Sequence, residues 1–353
     1  MRRIGFCLPR QTVAARDRDL HHVPAGLNGL TLRTWCEQKR HHRNGYYLNP
    51  FSPMDHKNFW RLLRWKLAAR NHFKSFYSQE PVTPIDIDWN SIRAHRGCAV
   101  TYITHACVMI KDIDCYLLVD PVLSGLFRFK NFSPLTGGTD RMPRPDHILI
   151  THGHYDHLDV NSLKRFQAST HVISPPGYGD VLGGLAMNNH TQLDWFDACV
   201  EGNREIICLP CNHWTMRNPL VGPNDALWGS YLIRGAGGMT VFVSGDLAWF
   251  DHFAEIGAMG PIDLAIFNLG AYEPRWLMKE SHINPAETVR AFKQLGARHL
   301  MVIHWGTFRL GDEPVHFPPR DIGREMEKQG LAERLIRVRH GQTLLYGEEI
   351  RVI

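Results

Sequence analysis

Short apolar runs alternate with amphipathic segments along most of the chain, and this alternation predicts its secondary structure. Residues 102–110 predict a strand pair or one bent strand. Helical segments lie between strands in both halves of the chain. This order predicts two β-sheets packed face to face with helices outside, an αββα sandwich of the α/β class. Further runs typical of buried strands occupy residues 116–121, 146–150, 171–174, 205–210, 227–233, 239–244, 263–267 and 299–303.

Three segments after residue 150 carry the spacing or the capping residues of helices. Residues 160–167 follow Asp159, whose carboxylate can accept hydrogen bonds from a first helical turn. The sequence Asn-Pro-Ala-Glu at residues 284–287 is that of a capping box with proline at the first helical position. We expect that helix to end near Gly296, and we predict another helix over residues 320–329.

The first part of the chain predicts an N-terminal extension, residues 1–84, on a catalytic domain of residues 85–353. Residues 59–67 carry Phe, Trp and Leu at helical spacing with arginines between them, and Asp55 is placed to cap this helix. A basic amphipathic helix with tryptophans can lie on an anionic membrane surface. The simpler interpretation is a helix that packs on the main domain, and the two are compatible.

Composition narrows the class of protein. The chain has 353 residues, enough for a large core, and its 44% hydrophobic and 21% charged residues are ordinary for a globular protein. No apolar run reaches the roughly 18 residues of a membrane span, and the N-terminus shows no clear signal peptide. The eight scattered cysteines suit reduced thiols. We therefore expect a cytoplasmic protein, with peripheral membrane contact as a further hypothesis.

Net charge and histidine content bear on the partners. A formal charge of +5 and a pI near 8.8 permit an anionic substrate or surface, but they do not require nucleic acid. We see no nucleic-acid-binding insertion, so we predict no nucleic-acid partner. The chain contains 21 histidines, which is unusually many and directs attention to metal binding.

Residues 151–159, Thr-His-Gly-His-Tyr-Asp-His-Leu-Asp, concentrate metal-ligand side chains directly after the strand predicted at residues 146–150. Imidazole nitrogens and carboxylate oxygens are good ligands for zinc and similar ions. Later strand ends supply three more such side chains. The predicted metal ligands are therefore His152, His154, Asp156, His157, His213, Asp246 and His304.

These seven ligands are enough for two metal ions. Two cations roughly 3.5–4 Å apart can hold a bridging hydroxide and clamp both the attacked group and the leaving oxygen. Such a centre needs no serine or cysteine nucleophile. We assign His152, His154 and His213 to one ion and Asp156, His157 and His304 to the other, with Asp246 as the bridge.

Other polar residues leave alternatives open. His105 and Asp120 either orient metal ligands or make ordinary hydrogen bonds in the core. Cys208 and Cys211 form a single C-x-x-C, which without a second pair favours structural thiols over a zinc or redox site. The histidine pair at residues 41–42 favours solvated loop side chains over a metal site.

The motif at residues 151–157, together with His213, Asp246 and His304, resembles the metallo-β-lactamase superfamily. A narrower resemblance is to its N-acyl-phosphatidylethanolamine-hydrolysing phospholipase D branch. It covers roughly residues 99–319 and weakens from residue 21 to residue 51. The segments that carry the narrower resemblance are residues 116–124, 212–214, 227–230, 270–276, 279, 282 and 303–308.

The resemblance implies a phosphodiesterase with two zinc ions that releases phosphatidic acid and an N-acylethanolamine from a membrane phospholipid. Asp156 and Asp246 would act with the metal ions, and the resemblance places Tyr155 and His282 near the substrate, with His282 also catalytic. It also favours a homodimer. The chain departs from the family at residues 247–249, where threonine, glycine and tyrosine are more usual, so substrate contacts can differ there.

Two other classes of function stay open at this point. The same fold can hydrolyse another substrate, such as a sugar-phosphate lactone or a different small phosphodiester. Manganese or iron can replace zinc, because ligand types alone do not select the metal. The non-enzymatic alternative is a metal-stabilised binding or scaffold protein, and the complete ligand set argues against it.

Overall fold

The computed structural model describes residues 27, 29–52, 58–136, 140–347 and 350–353. Asp55, the predicted helix cap, lies outside these residues. The helices are α1 (Leu32–Glu37), α2 (Asn58–Ala68), α3 (Trp89–Ala94), α4 (Val160–Leu163), α5 (Gly179–Gly183), α6 (Phe253–Gly257), α7 (Arg275–Met278), α8 (Pro285–Leu295) and α9 (Phe317–Lys328), with short 3₁₀ helices at Lys74–Gln79 and Ala332–Arg334. The strands are β1 (His42–Arg43), β2 (Tyr46–Tyr47), β3 (Cys98–Thr104), β4 (Cys107–Asp112), β5 (Cys115–Val119), β6 (His147–Leu149), β7 (His171–Ser174), β8 (His190–Gln192), β9 (Ala198–Glu201), β10 (Arg204–Leu209), β11 (Ser230–Arg234), β12 (Thr240–Val243), β13 (Leu264–Asn268), β14 (His299–Ile303), β15 (Leu335–Ile336), β16 (Thr343–Tyr346) and β17 (Arg351–Val352).

The first large sheet of the described chain has the strand order β17-β16-β3-β4-β5-β6-β7-β8. Neighbours from β17 to β5 are antiparallel, and neighbours from β5 to β8 are parallel. The region predicted as a strand pair or one bent strand is the antiparallel pair β3 and β4. The parallel part aligns the carboxyl ends of β5, β6 and β7 along one edge of the sheet.

The second large sheet has the order β15-β14-β13-β12-β11-β10-β9. Strands β12 to β15 are parallel, and β9 to β12 are antiparallel neighbours. The carboxyl ends of β12, β13 and β14 therefore also lie together. Each sheet thus offers a row of strand ends from which loops can project side chains into one place.

The core follows the two-residue repeat of the strands. In β5, Leu117 and Val119 join one cluster with Phe267 of the second sheet, whereas Leu118 belongs to a separate cluster on the other face of the first sheet. Helices α3 to α5 contribute to that separate cluster, and α6, α8 and α9 pack with the second sheet. The prediction of an αββα sandwich is confirmed.

The helix predicted from the capping box is present with its caps. The Asn284 side chain accepts the Glu287 backbone N–H at 2.9 Å, and the Glu287 carboxylate accepts the Asn284 backbone N–H at 3.0 Å. The chain leaves α8 at Gly296, whose φ of 65° is the left-handed conformation that favours glycine. Helix α9 begins at Phe317 instead of residue 320, because the prolines after Phe317 fit a first helical turn.

The helix predicted over residues 160–167 is shorter than expected. Asp159 caps it as predicted, but α4 ends at Leu163. Beyond that point the Arg165 N–H bonds to the Ser162 carbonyl at 3.1 Å, an i→i−3 bond that tightens the backbone out of α-helical geometry. Residue spacing alone did not distinguish this turn from further helix.

The N-terminal segment is joined to the sandwich through Asp194. Helix α1 buries Trp35 in the same core cluster as both sheets. The Asp194 carboxylate lies 2.7 Å from His41 Nε2, and its second oxygen lies 2.7 Å from both His42 Nε2 and Lys39 Nζ. One carboxylate thus satisfies three polar side chains of this segment.

The prediction that the pair at residues 41–42 is solvated is wrong for His41. Its side chain is fully buried and stacks on Trp195, with ring centroids 4.4 Å apart. The hydrogen bond to Asp194 offsets the free-energy cost of burying His41, because a buried imidazole needs a partner for its polar nitrogen. His42 is exposed, as predicted.

Helix α2 packs against the sandwich, as the simpler interpretation expects. Arg61 of this helix forms an ion pair with Glu280 at 2.9 Å, just beyond α7. Trp65 donates its indole N–H to Asp312 at 3.0 Å, before α9. The division into residues 1–84 and 85–353 stays a prediction. No described helix has the length and apolar character needed to cross a bilayer.

The Asp194→Asn variant should lose about 3 kcal/mol of unfolding free energy at neutral pH, because His41 and Lys39 lose a charged partner. Burial opposes ionisation of Asp194, but hydrogen bonds from His41 and Lys39 outweigh it and hold its pKa well below the usual range. This stabilisation is present above the ordinary aspartate pKa of about 3.9 and disappears as the pH falls through the lower folded-state pKa.

Denaturant unfolding at pH 7 and at pH 3 measures this effect. The stability gap between wild type and Asp194→Asn should shrink at the lower pH. The exposed neighbour Asp197, 3.9 Å from Lys39, provides the control, because Asp197→Asn should change stability little at either pH. A gap of equal size at both pH values would contradict the proposed ionic anchor.

Candidate metal centre

The predicted ligands follow the ends of strands from both sheets. The motif 152–157 follows β6 of the first sheet, while His213, Asp246 and His304 follow β10, β12 and β14 of the second sheet. These strand ends lie at one edge of the sandwich. The structure therefore brings all seven predicted ligands into two adjoining groups.

Three histidines form the first group. His152 Nε2 lies 2.9 Å from His154 Nδ1, and His213 Nε2 lies 3.4 Å from the same atom. Two nitrogens that bind one zinc ion tetrahedrally are separated by about 3.3 Å. Burial lowers the pKa of His152 and His213 well below the usual range and that of His154 to about 4. The three imidazoles are therefore neutral at pH 7, with lone pairs available to a metal.

The second group consists of Asp156, His157 and His304, with Asp246 in contact. Asp156 Oδ2 lies 3.7 Å from His157 Nε2 and 3.5 Å from His304 Nε2. Asp246 Oδ2 lies 3.2 Å from His157 Nε2, and its Oδ1 lies 3.3 Å from His304 Nε2. The negative charge of Asp246 also acts to raise the pKa values of the three histidines in the first group, against the effect of burial. It acts on both groups, and its bridging role stays a prediction.

Opposite charges compensate one another inside the second group. Burial opposes ionisation of Asp156 and Asp246, but His157 beside Asp156 and His304 beside Asp246 hold both pKa values well below the usual range. Burial likewise opposes protonation of His157, yet Asp246, Asp156 and Asp120 raise its pKa well above the usual value. The carboxylates thus create a negative site that a cation would neutralise.

The donor set fits divalent metal ions. Among the described residues, the Nε2 atoms of His157 and His304 are buried without a hydrogen-bond partner. Both atoms face the carboxylates of Asp156 and Asp246. Buried polar atoms without partners are rare in folded proteins and call for an explanation. Metal coordination supplies one, because imidazole and carboxylate are zinc ligands and also suit manganese and iron.

Asp120 and His105, whose roles the sequence left open, contact the ligands. Asp120 Oδ2 accepts from His157 Nδ1 at 2.8 Å and from the Thr151 hydroxyl at 2.6 Å. This contact turns His157 Nε2 toward the second group. His105 Nε2 lies 3.1 Å from Asp156 Oδ2. Both residues therefore contact predicted ligand side chains, as groups directly behind metal ligands do. His105 also belongs, with Asp156, His157 and His304, to one group of side chains that could hold a metal ion.

Two further supporting residues were missed in the sequence. Asn268 at the end of β13 donates its amide N–H to Asp246 Oδ1 at 2.9 Å. A polar residue after a buried strand at the same sheet edge was a usable signal for it. Arg217 donates to the carbonyls of Gly153 and Leu158, at 3.2 and 2.7 Å, and so holds the motif loop in place. No local pattern marks Arg217.

The glycine inside the motif is required by close packing. A Cβ atom at Gly153 would lie 2.8 Å from the Tyr178 ring and 2.9 Å from the Thr215 hydroxyl. These distances are shorter than real Cβ contacts, so a side chain would displace the loop that carries His152 and His154. Gly245, before Asp246, has a φ of 57°, and a Cβ atom added to it would lie 2.9 Å from the Thr151 side chain.

The two residues assigned to substrate differ in position. His282 Nδ1 lies 3.8 Å from Asp246 Oδ2, and burial lowers the pKa of His282 to about 4. Tyr155 instead lies at the surface, with 56% of its area exposed, and its hydroxyl donates to the Arg217 carbonyl at 2.8 Å. The structure thus places His282 against the ligand cluster and Tyr155 on its outer margin.

The two cysteines of the C-x-x-C are buried, free thiols. Burial raises the pKa of Cys211 to about 12 and that of Cys208 well above the usual range. Neither belongs to the candidate clusters of metal-ligand side chains found in the described residues. These observations agree with the interpretation as structural thiols.

Comparisons with known proteins agree with this geometry. A family model described as a beta-lactamase superfamily domain matches residues 116–305. An uncharacterised protein of Mycobacterium tuberculosis is 31% identical over 323 residues, which cover 84% of this chain and 83% of that protein. The N-acyl-phosphatidylethanolamine-hydrolysing phospholipase D 1 of Caenorhabditis elegans is 32% identical over 266 residues, which cover 70% of this chain and 74% of that enzyme.

Solved structures support the fold independently. A metallo hydrolase from the archaeon Ignicoccus hospitalis superposes with a TM-score of 0.55 at 16% identity, over 71% of this chain and 99% of that chain. At such low identity the likeness shows the fold alone. The family-model match at residues 116–305 includes β6 to β14 and all seven predicted ligands.

Asp120→Asn should weaken metal binding about 10- to 100-fold, because His157 loses its charged orienting partner while every predicted ligand remains. Competition against a chromophoric chelator measures the affinity. Asp263→Asn is the matched control, since Asp263 accepts from Thr240 N and the Tyr346 hydroxyl near the amino end of β13. Equal metal affinity of Asp120→Asn and wild type would show that Asp120 has no orienting function.

Proposed function

Because this chain belongs to the metallo-β-lactamase superfamily, in the group that includes N-acyl-phosphatidylethanolamine-hydrolysing phospholipases D, we propose that it hydrolyses the phosphodiester of N-acyl-phosphatidylethanolamine-like phospholipids. The family makes the protein a metal-dependent hydrolase. The observation that carries the narrower proposal is the complete set of seven ligands in a chain that matches 74% of the worm enzyme.

The proposed cofactor is a pair of zinc ions. Manganese and iron are the alternatives, and elemental analysis distinguishes them from zinc. When bound, two divalent ions supply an activated water at neutral pH and neutralise charge on the reacting phosphate. We keep Asp246 as the residue shared between the ions, because it contacts His157 and His304 and acts electrostatically on the three-histidine group. The proposed ligands are His152, His154 and His213 for one ion and Asp156, His157 and His304 for the other.

His282 is the proposed catalytic group beyond the ligands. It lies beside Asp246, and its pKa of about 4 makes the imidazole neutral at pH 7. A neutral imidazole can donate one hydrogen bond to a phosphate oxygen and accept another from water. This position supports binding of the phosphodiester. It also allows His282 to accept a proton from the attacking water and then, as imidazolium, to pass that proton to the leaving oxygen. Tyr155, at the outer margin, is proposed to contact the part of the substrate that extends away from the metals.

The surface near α7 supports a lipid substrate. Arg61 and Arg64 of α2 lie 6.0 and 5.6 Å from the Trp276 ring, and Leu67 of the same helix is 77% exposed. Basic, aromatic and apolar side chains together suit the interface of an anionic membrane. We therefore propose peripheral membrane contact of a cytoplasmic protein. A homodimer is proposed from the family resemblance, and no nucleic-acid partner is proposed.

Asp246→Asn tests the phospholipase proposal. The substitution removes a ligand charge, so hydrolysis of N-acyl-phosphatidylethanolamine should fall at least about 100-fold. Elemental analysis of the same samples should give at least two metal ions per wild-type chain. Asp263→Asn, which makes the same charge change just before the amino end of β13, should retain activity.

Other outcomes of this experiment select the alternatives. Cleavage of bis-p-nitrophenyl phosphate without cleavage of the lipid would redirect the substrate search to other phosphodiesters and lactones. Bound metal without turnover of either compound would favour a binding protein. An absence of both metal and turnover would overturn the proposal of a metal-dependent phospholipase.

His282→Gln separates a role in the reaction from a role in metal binding. We expect unchanged metal content and a loss of kcat of about 100-fold or more, because glutamine keeps a hydrogen-bonding side chain but cannot transfer a proton. Tyr155→Phe is the comparison: it should affect mainly KM, since Tyr155 lies at the exposed margin. A His282→Gln protein with wild-type kcat would remove His282 from the mechanism.

A further inference from the structure

A second cluster of metal-ligand side chains lies at the opposite end of the strands from the catalytic loops. His147 begins β6, and His171 begins β7; the two residues are register partners in neighbouring parallel strands. Glu201 ends β9, the edge strand of the other sheet. The cluster therefore spans both sheets of the sandwich. His152 follows His147 by five positions, which correspond to about 16 Å of extended chain.

The three side chains approach one another at distances suited to a metal ion. His147 Nδ1 lies 3.2 Å from His171 Nδ1, and Glu201 Oε1 lies 3.2 Å from the same His171 atom. The other Glu201 oxygen lies 3.1 Å from His147 Nε2. Ligand atoms around one tetrahedral zinc are separated by about 3.3 Å. The nitrogen–nitrogen and nitrogen–oxygen distances at His171 Nδ1 are both close to this value.

The surroundings of the cluster favour ring nitrogens with free lone pairs. Thr191 Oγ1 lies 2.8 Å from His171 Nε2, where it can accept the ring N–H and leave Nδ1 unprotonated. Burial lowers the pKa of His147, although Glu201 partly opposes this. The nearby Arg204 guanidinium is paired with Asp112 at 2.6 Å, which compensates its positive charge. The Glu201 side chain is 45% exposed, so solvent ions can reach the cluster.

We propose that His147, His171 and Glu201 form a separate site for zinc or a similar divalent transition-metal ion, which cross-links the two sheets at the end opposite the catalytic loops. Water completes the coordination of this three-ligand site. Its function is structural, because it holds β9 against β6 and β7. The proposal does not depend on which substrate the catalytic centre takes, since metal binding here can be measured without turnover.

The test compares the metal content of full-length wild type, His171→Gln and Glu201→Gln after chelator treatment and dialysis against zinc. Each variant should bind one zinc equivalent fewer than wild type while kcat remains unchanged. Saturating zinc, about 100-fold above Kd, should raise the Tm of wild type about 3–4 °C more than that of either variant. The Asp246→Asn variant should still bind zinc at His147, His171 and Glu201. This result would show that the site is independent of the catalytic centre.

His190→Gln is the matched control, because His190 lies on the adjacent strand β8 and its Nε2 already bonds to Ser174 Oγ at 2.8 Å. It should keep the wild-type zinc count. If His171→Gln does not fold, the half-exposed Glu201→Gln still decides the question. An equal zinc count in wild type and Glu201→Gln would overturn the proposal and leave the three side chains as a hydrogen-bonded cluster.

Discussion

The rest of the site depends on the electrostatic interaction of two buried carboxylates with the histidines around them. Asp156 and Asp246 stay ionised because His157 and His304 offset the cost of burial. Neither sheet provides this arrangement alone, since the motif follows β6 while Asp246 and His304 follow strands of the other sheet. The face-to-face packing of the sandwich is therefore also what assembles the charges.

A rigid surrounding shell keeps these charges in place. Asp120 orients His157, His105 contacts Asp156, and Asn268 contacts Asp246. His304 and Asp120 also have positive φ values of 70° and 41°, conformations that non-glycine residues rarely adopt. Such backbone is sustained by the surrounding packing and is frequent at functional sites. Metal ligands held in this way need little rearrangement to bind an ion.

The same layered architecture explains two features far from the catalytic loops. Asp194 joins the N-terminal segment to the sandwich through three side chains, and the cluster of His147, His171 and Glu201 lies between the sheets at their other end. Both depend on polar groups that lie close to the core and satisfy one another. In both places, a carboxylate compensates histidines that would otherwise be costly to bury.

Local patterns in the sequence determined the positions of most central strands, the capped helix at Asn284 and the seven predicted ligand side chains, because periodicity and side-chain chemistry are properties of short segments. Only the tertiary structure decided which side chains meet. His41 is buried by Asp194, 153 positions away, and Arg217 holds a motif loop about 60 residues before it in the chain. Such partners depend on strand register and sheet packing, which bring distant residues together. These contacts are not marked by any periodic pattern in the sequence.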